Sequence, residues 1–187
     1  KIKSLKNDSE EVNQISGLPK NPKISNLNWS PDQNKIAFTN TTEDGVNLWI
    51  LDLNSARAKK VSELKLNANI GSVINWFSDS NSLLIKVIPK NKSELINSGS
   101  VVPVGPKVST NFGEKAQNRT YQDLLKNKAD EYNFQQLVTS DLFTVSINGI
   151  AKKWLDSNMY TNISISPDGN YVMVTKINKP FSYLVTY

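Results

Sequence analysis

The chain of 187 residues contains no cysteine and no histidine. Without cysteine there is no disulfide frame, no thiolate zinc site and no sulfur nucleophile. Without histidine, the Ser-His-Asp and Cys-His mechanisms lack their general base. Arginine is scarce as well: of 22 Lys and Arg residues only Arg57 and Arg119 are Arg, and with 17 acids the net charge is +5. The lysines are scattered singly among acids and asparagines. A solvated basic surface therefore fits better than nucleic-acid binding, and no nucleic-acid partner is expected. No run approaches 18 apolar residues, so no membrane span is expected. Residues 1–20 carry no apolar signal-peptide core, which leaves export open. The chain has no G-x-S-x-G elbow, Walker loop or G-x-G-x-x-G. Ser62 and Lys65 match an S-x-x-K pattern, but its companion K-T-G is missing. No catalytic residue, metal or cofactor is expected on this chain.

What is present is a repeat. Asn28-Trp29-Ser30-Pro31-Asp32-Gln33-Asn34-Lys35-Ile36-Ala37-Phe38-Thr39 reads as strand, tight turn, strand. Proline presets φ at the first turn position, and Asp32 can accept nearby backbone N–H groups. Leu27 and Trp29 are expected on the buried face of the first strand. Second and third copies run from Asn75 to Lys86 and from Ser164 to Thr175. Their turn acids, Asp32, Asp79 and Asp168, are spaced by 47 and 89 residues. Each is explained by its turn, so none is read as a metal ligand.

Second hairpins follow. Val46 to Leu53 turns through Asn54-Ser55-Ala56 into Ala58 to Val61. Leu142 to Ile147 turns through Asn148-Gly149, a strong hairpin signal, into Ile150 to Trp154. Aligning Trp49 with Phe143 leaves 47 extra residues inside the second repeat. Phe181 to Tyr187 aligns as a third strand, Ile2 to Leu5 as another, and Ile15-Ser16-Gly17-Leu18 with Val61-Ser62-Glu63-Leu64. Four short strands per repeat, with second strands apolar on both faces (Ile36-Ala37-Phe38, Leu83-Leu84-Ile85, Val172-Met173-Val174), form the pattern of a β-propeller blade stacked between neighbours. A β-sandwich would show polar outward faces. The expected fold is all-β: a partial propeller of two full four-stranded blades and two half blades, with one short helix in an insertion. Its parts are a half blade at 1–18, blades at 24–64 and 71–155, and a half blade at 160–187. A ring needs at least four blades, so the chain is expected to be a slice of a larger propeller.

The insertion covers about residues 89–138. A Ser/Asn/Gly/Pro-rich stretch precedes a helix signal, in which Thr120 and Asp123 can cap and Tyr121, Leu124 and Leu125 form an apolar stripe. Asp130 to Phe134 is read as leading back to the blade. Lys115, Arg119 and Tyr121 could offer two cations and a phenol to an acidic group. The plainer alternative pairs Arg119 with Asp123 or a backbone carbonyl and packs Tyr121 under the loop.

These residues resemble a known family. Trp29-Ser30-Pro31-Asp32 with Lys35-Ile36-Ala37-Phe38-Thr39, followed by Leu48-Trp49-Ile50-Leu51-Asp52-Leu53, resembles blades of prolyl oligopeptidase family serine peptidases. Ala116 to Asn127 with Pro180 to Val185 is similar to the glutamyl endopeptidase branch. The resemblance implies a longer parent in which the propeller gates peptide access to a triad in a C-terminal α/β-hydrolase domain, absent from this chain. The implied partners are a peptide substrate and the rest of the same polypeptide. It also makes Arg119 the candidate for the substrate carboxylate, since a bidentate guanidinium matches that group best. The competing reading is a non-enzymatic propeller that scaffolds protein partners at a cell envelope. A periplasmic or secreted location is expected, with a cytoplasmic one left open.

Overall fold

In the computed structural model the described residues are 1–3, 12–97, 113, 125 and 127–181. They are mostly β, arranged in antiparallel sheets with one short helix. β1 (Ile2–Lys3) pairs with β2 (Val12–Asn13). The first four-stranded sheet runs β3 (Ile24–Trp29), β4 (Lys35–Thr42), β5 (Gly45–Asp52), β6 (Arg57–Lys60). The second contains β7 (Ile74–Trp76), β8 (Ser82–Val87), β9 (Ser140–Ser146) and β10 (Ala151–Asn158), again in chain order across the sheet. A two-stranded sheet of β11 (Tyr160–Ile165) and β12 (Val172–Lys176) follows. In the first sheet Phe38 lies opposite Trp49, and in the second Ile85 lies opposite Phe143. The register confirms the alignment of the two repeats, because a slip of one residue would move every side chain to the other face.

Burial follows from stacking. Ala37, Leu48 and Ile50 of the first sheet share a core with Trp76, Leu83, Ile85 and Val145 of the second. Leu84 and Leu142, on the opposite face of that second sheet, pack on Tyr160, Ile163, Val172 and Val174. Ile36, Phe38 and Leu51 pack the other way, toward Ile2, Ile15 and Leu18. Both faces of β4 and β8 are thus buried, which is why these strands read as unbroken apolar runs. The connector between the two large sheets is woven into both: the Leu66 N–H donates to Val46 O and the Asn67 N–H to Lys86 O.

Two expectations of burial change. Leu27 and Trp29 are 65% and 57% exposed, not buried. Their counterparts Ile74 and Trp76 are buried because the first sheet covers that side of the second. The described elements on the corresponding side of the first sheet reach Ile36 and Phe38 but not Leu27 and Trp29. Met173 is 69% exposed for the mirror reason: it corresponds to Ala37 and Leu84, which face the next sheet, and no described sheet lies beyond β12. At the N-terminal end the register follows the alignment: Ile2 and Lys3 pair with Asn13 and Val12 as Ile50 and Leu51 pair with Lys59 and Ala58, and Ile15, like its match Val61, joins a core.

The described chain divides into two compact units. Residues 1–90 and 138–177 form the first, and 91–137 with 178–187 the second. The second contains most of α1 (Lys128–Val138). Asp130 to Phe134, read as leading back to the blade, is helical. Asn127 caps it, its Oδ1 accepting the Asp130 N–H at 2.9 Å, and Asp130 and Glu131 suit the positive end of the dipole. Of the helix expected around Thr120 to Lys128, Leu125 and Asn127 are not helical and Lys128 begins α1; residues 120–124 and 126 lie outside the described residues.

Candidate functional site

Lys115, Arg119 and Tyr121 lie outside the described residues. The turn acids are described, and their oxygens are committed to their turns. Ser30 Oγ donates to Asp32 Oδ1 at 2.5 Å, which also accepts the Asn34 N–H, while Lys35 Nζ sits 3.2 Å from Oδ2. The Ser30 hydroxyl, then the Asn34 N–H, hold this carboxyl far below the usual carboxylate range. Asp168 repeats the pattern with Ser166 at 2.5 Å and the Asn170 N–H at 3.1 Å. Asp79 lacks a serine two residues before it and uses one three residues after: Ser82 Oγ donates to Oδ2 at 2.6 Å. Among the described residues no group of three acids or other ligating side chains could hold a metal. Ser62 Oγ is buried without a hydrogen-bond partner, so no base stands beside it.

The first strands of the three repeats lie side by side and line a concavity of about 330 Å³. Its walls include Asn28 and Trp29 on β3, Asn75 and Trp76 on β7, and Ile163 and Ile165 on β11. Asn28 Nδ2 donates to Ile74 O at 2.9 Å and Trp76 Nε1 returns a bond to Asn28 O at 3.0 Å, so side chains tie adjacent inner strands together. Carboxamides, indoles, the Ser164 hydroxyl and aliphatic groups line this surface, with no acid, lysine or arginine among them. It can hold a ligand by hydrogen bonds and apolar contact but cannot move a proton.

The charged groups lie elsewhere. Lys153 Nζ bridges Asp141 at 3.1 Å and Asp156 at 2.9 Å, and Ser157 Oγ donates to Asp141 Oδ1 at 2.5 Å. These bonds to Asp156 and Asp141 raise the Lys153 pKa, so it stays an ammonium rather than a base. Lys86 is fully buried on β8, its Nζ donating to Ile70 O and, at 3.4 Å, to Tyr160 O. Burial lowers its pKa to about 8. Reading the sequence missed Lys86, although the signal was there: it replaces Thr39 of the first repeat within an otherwise apolar strand. Also missed was a clasp on α1, where Asn133 and Gln136 hold an extended segment. Two helix-face carboxamides have no distinguishing spacing in sequence.

No family model matches the chain. Over 181 residues it is 34% identical to a probable glutamyl endopeptidase, chloroplastic, of Oryza sativa subsp. japonica. The chain is homologous to the N-terminal part of glutamyl endopeptidases. A second such relative, from Arabidopsis thaliana, is 30% identical over 181 residues. The alignments take in 91% and 92% of this chain but only 19% and 18% of the relatives, so the chain spans about a fifth of these glutamyl endopeptidases. Among solved structures, TolB from Acinetobacter baumannii matches with a TM-score of 0.50 at 14% identity, over 85% of this chain and 28% of TolB. Acylaminoacyl peptidase from Pyrococcus horikoshii matches with a TM-score of 0.46 at 21% identity, over 81% and 20% of the two chains. Both neighbours are propeller proteins.

Proposed function

We propose that this chain is a propeller segment of a serine peptidase, two four-stranded blades at 24–64 and 71–155 flanked by half blades at 1–18 and 160–187. In that assembly it gates and shapes the access of peptides to a triad in a separate α/β-hydrolase domain. The observation that carries this reading is the 34% identity to a probable glutamyl endopeptidase across 91% of the chain. Stacked four-stranded sheets support it, as does an inner-strand surface suited to binding but not to proton transfer. A sequence without histidine cannot supply the triad itself. Arg119, with Lys115 and Tyr121 near it in sequence, is the proposed receptor for a glutamate side chain of the substrate.

Fluorophosphonate labelling tests the assignment. The full-length polypeptide that carries this segment should label, and residues 1–187 alone should not. Failure of the full-length protein to label would favour the scaffold reading. For specificity, Arg119→Ala in the full-length protein should raise KM for Glu-containing peptides at least tenfold more than for their Gln analogues. Equal effects on both would remove Arg119 from that role.

A further inference from the structure

The second unit holds an arrangement that the gating reading does not use. Helix α1 presents Asn133 and Gln136, one turn apart, to an extended stretch of the chain around residues 93–96. The Ile96 N–H donates to Asn133 Oδ1 at 2.8 Å, and Asn133 Nδ2 donates to Ile96 O at 2.8 Å. One carboxamide therefore satisfies both backbone groups of one residue, as a neighbouring strand would. Three residues earlier the Ser93 N–H donates to Gln136 Oε1 at 3.2 Å. Every one of these bonds is to backbone, so the clasp reads an extended main chain and not its side chains. On a rigid element such a pair of carboxamides recognises peptide backbone by the same hydrogen bonds that strand addition uses.

The occupant lies at the surface. Leu95 and Ile96 remain 46% and 41% exposed, so the contact buries little apolar surface. The three bonds are exposed to water, where each adds little net stability, and they must offset the entropy of ordering the segment. Helix and strap differ in this respect. α1 is capped by Asn127, and Phe134 packs edge-on against Phe181 with ring centroids 5.3 Å apart. The site stands on a capped, packed helix, and the bonds to its occupant are open to water.

We propose that the Asn133–Gln136 face of α1 is a docking site for extended peptide backbone, occupied in cis by residues 93–96 and vacated when that strap detaches. The proposal rests on the peptide-handling reading and names a second place where the protein holds its substrate class. Its ligand is a peptide in extended form, selected by main-chain geometry and not by a particular side chain.

The test uses a capped fluorescent peptide with the sequence of residues 91–97, bound to the full-length protein and followed by anisotropy. Ile96→Pro removes the donor that Asn133 Oδ1 accepts and keeps the strap extended. It should free the clasp and tighten peptide binding at least fivefold. Adding Asn133→Ala, a favourable exchange within a helix, should reverse that gain at least fivefold. A peptide N-methylated at the isoleucine should bind at least fivefold more weakly, and a scrambled peptide should bind as well as the parent. Hydrogen exchange at the Ile96 amide checks the clasp directly: Asn133→Ala should speed it severalfold while circular dichroism remains unchanged. Unchanged binding on Ile96→Pro, or indifference of both binding and exchange to Asn133→Ala, overturns the proposal. Peptide binding without fluorophosphonate labelling would leave the clasp standing and remove the peptidase reading. Labelling without peptide binding would do the reverse.

Discussion

The two junctions of the first unit are built from equivalent positions and held differently. Where the first sheet meets the second, Trp76 is buried and bonds Asn28 O, and Ser80 Oγ accepts the Asp32 N–H at 3.0 Å. Where the second meets β11 and β12, the residue equivalent to Trp76 is Ile165 and the residue equivalent to Ser80 is Gly169. A Cβ on Gly169 would come within 2.2 Å of Ser78 Oγ. In the first repeat Thr39 Oγ1 donates at 3.0 Å to Ser25 O within its own sheet. At the same position in the second repeat, Lys86 reaches out of its sheet to Ile70 O and Tyr160 O. The first junction is closed by an aromatic ring and side-chain hydrogen bonds, the second by a buried cation, the Ile163 N–H donating to Ser72 Oγ at 3.0 Å, and close backbone approach. A repeat conserves strand geometry while leaving each interface free to find its own chemistry.

The largest way to break this comparison is at the rings. Trp76→Ala should lower unfolding stability by about 3–5 kcal/mol, through lost burial and an orphaned Asn28 carbonyl. Ile165→Ala should cost about half as much, because its site is less enclosed. Chemical denaturation of the full-length protein measures both, and equal losses would mean that the junctions are not energetically distinct.

Lys86 sharpens the contrast through pH. Its pKa is about 8 in the folded state against 10.5 for the ordinary side chain, so folding disfavours its protonated form. That penalty is full below pH 8 and fades as pH rises through 8 toward 10.5, so the Lys86 contribution makes the protein more stable in alkali. The gain is on the order of 3 kcal/mol. Lys86→Met should flatten that rise, read as the difference between the two proteins' denaturation midpoints across pH 7–10. Parallel profiles would show that Lys86 does not titrate in the fold.

The smallest effect concerns the turn residue after each repeat's acid. Gln33, Ser80 and Gly169 occupy equivalent positions with φ of 59°, 53° and 74°. The left-handed conformation strains any residue with a Cβ. Gln33→Gly should therefore stabilise by up to about 1 kcal/mol, and Gly169→Ala should destabilise by about 1–2 kcal/mol. Thermal melts of the two variants should move in opposite directions, and a Gln33→Gly melt below the parent would contradict the account.

Much of the fold was legible in the sequence because strand geometry is local. A turn with Asp followed by a left-handed residue, preceded by Pro in two of the three repeats, specifies a reversal wherever it occurs. Spacing between three such turns set the register that pairs Phe38 with Trp49. Apolar runs such as Leu83-Leu84-Ile85 declared two-sided burial before any neighbour was known. Helix α1 was not read from the sequence, although Asn127 with the acidic first turn of Asp130 and Glu131 carried its start signal. The candidate site was less legible, since carboxamides on a helix acquire a role only from what lies across from them.

By itself, then, the amino-acid sequence determined the repeat, its turn chemistry, the insertion and the absence of a triad, all of which depend on residue type and spacing along one chain. Tertiary structure alone decided which repeat faces are covered. Trp29 and Trp76 are the same residue at the same position, yet one is exposed and the other buried. It also decided that Lys86 is enclosed by carbonyls and that Asn133 grips a main chain. Burial and hydrogen-bond partnership belong to pairs of surfaces, and a sequence names only one member of each pair.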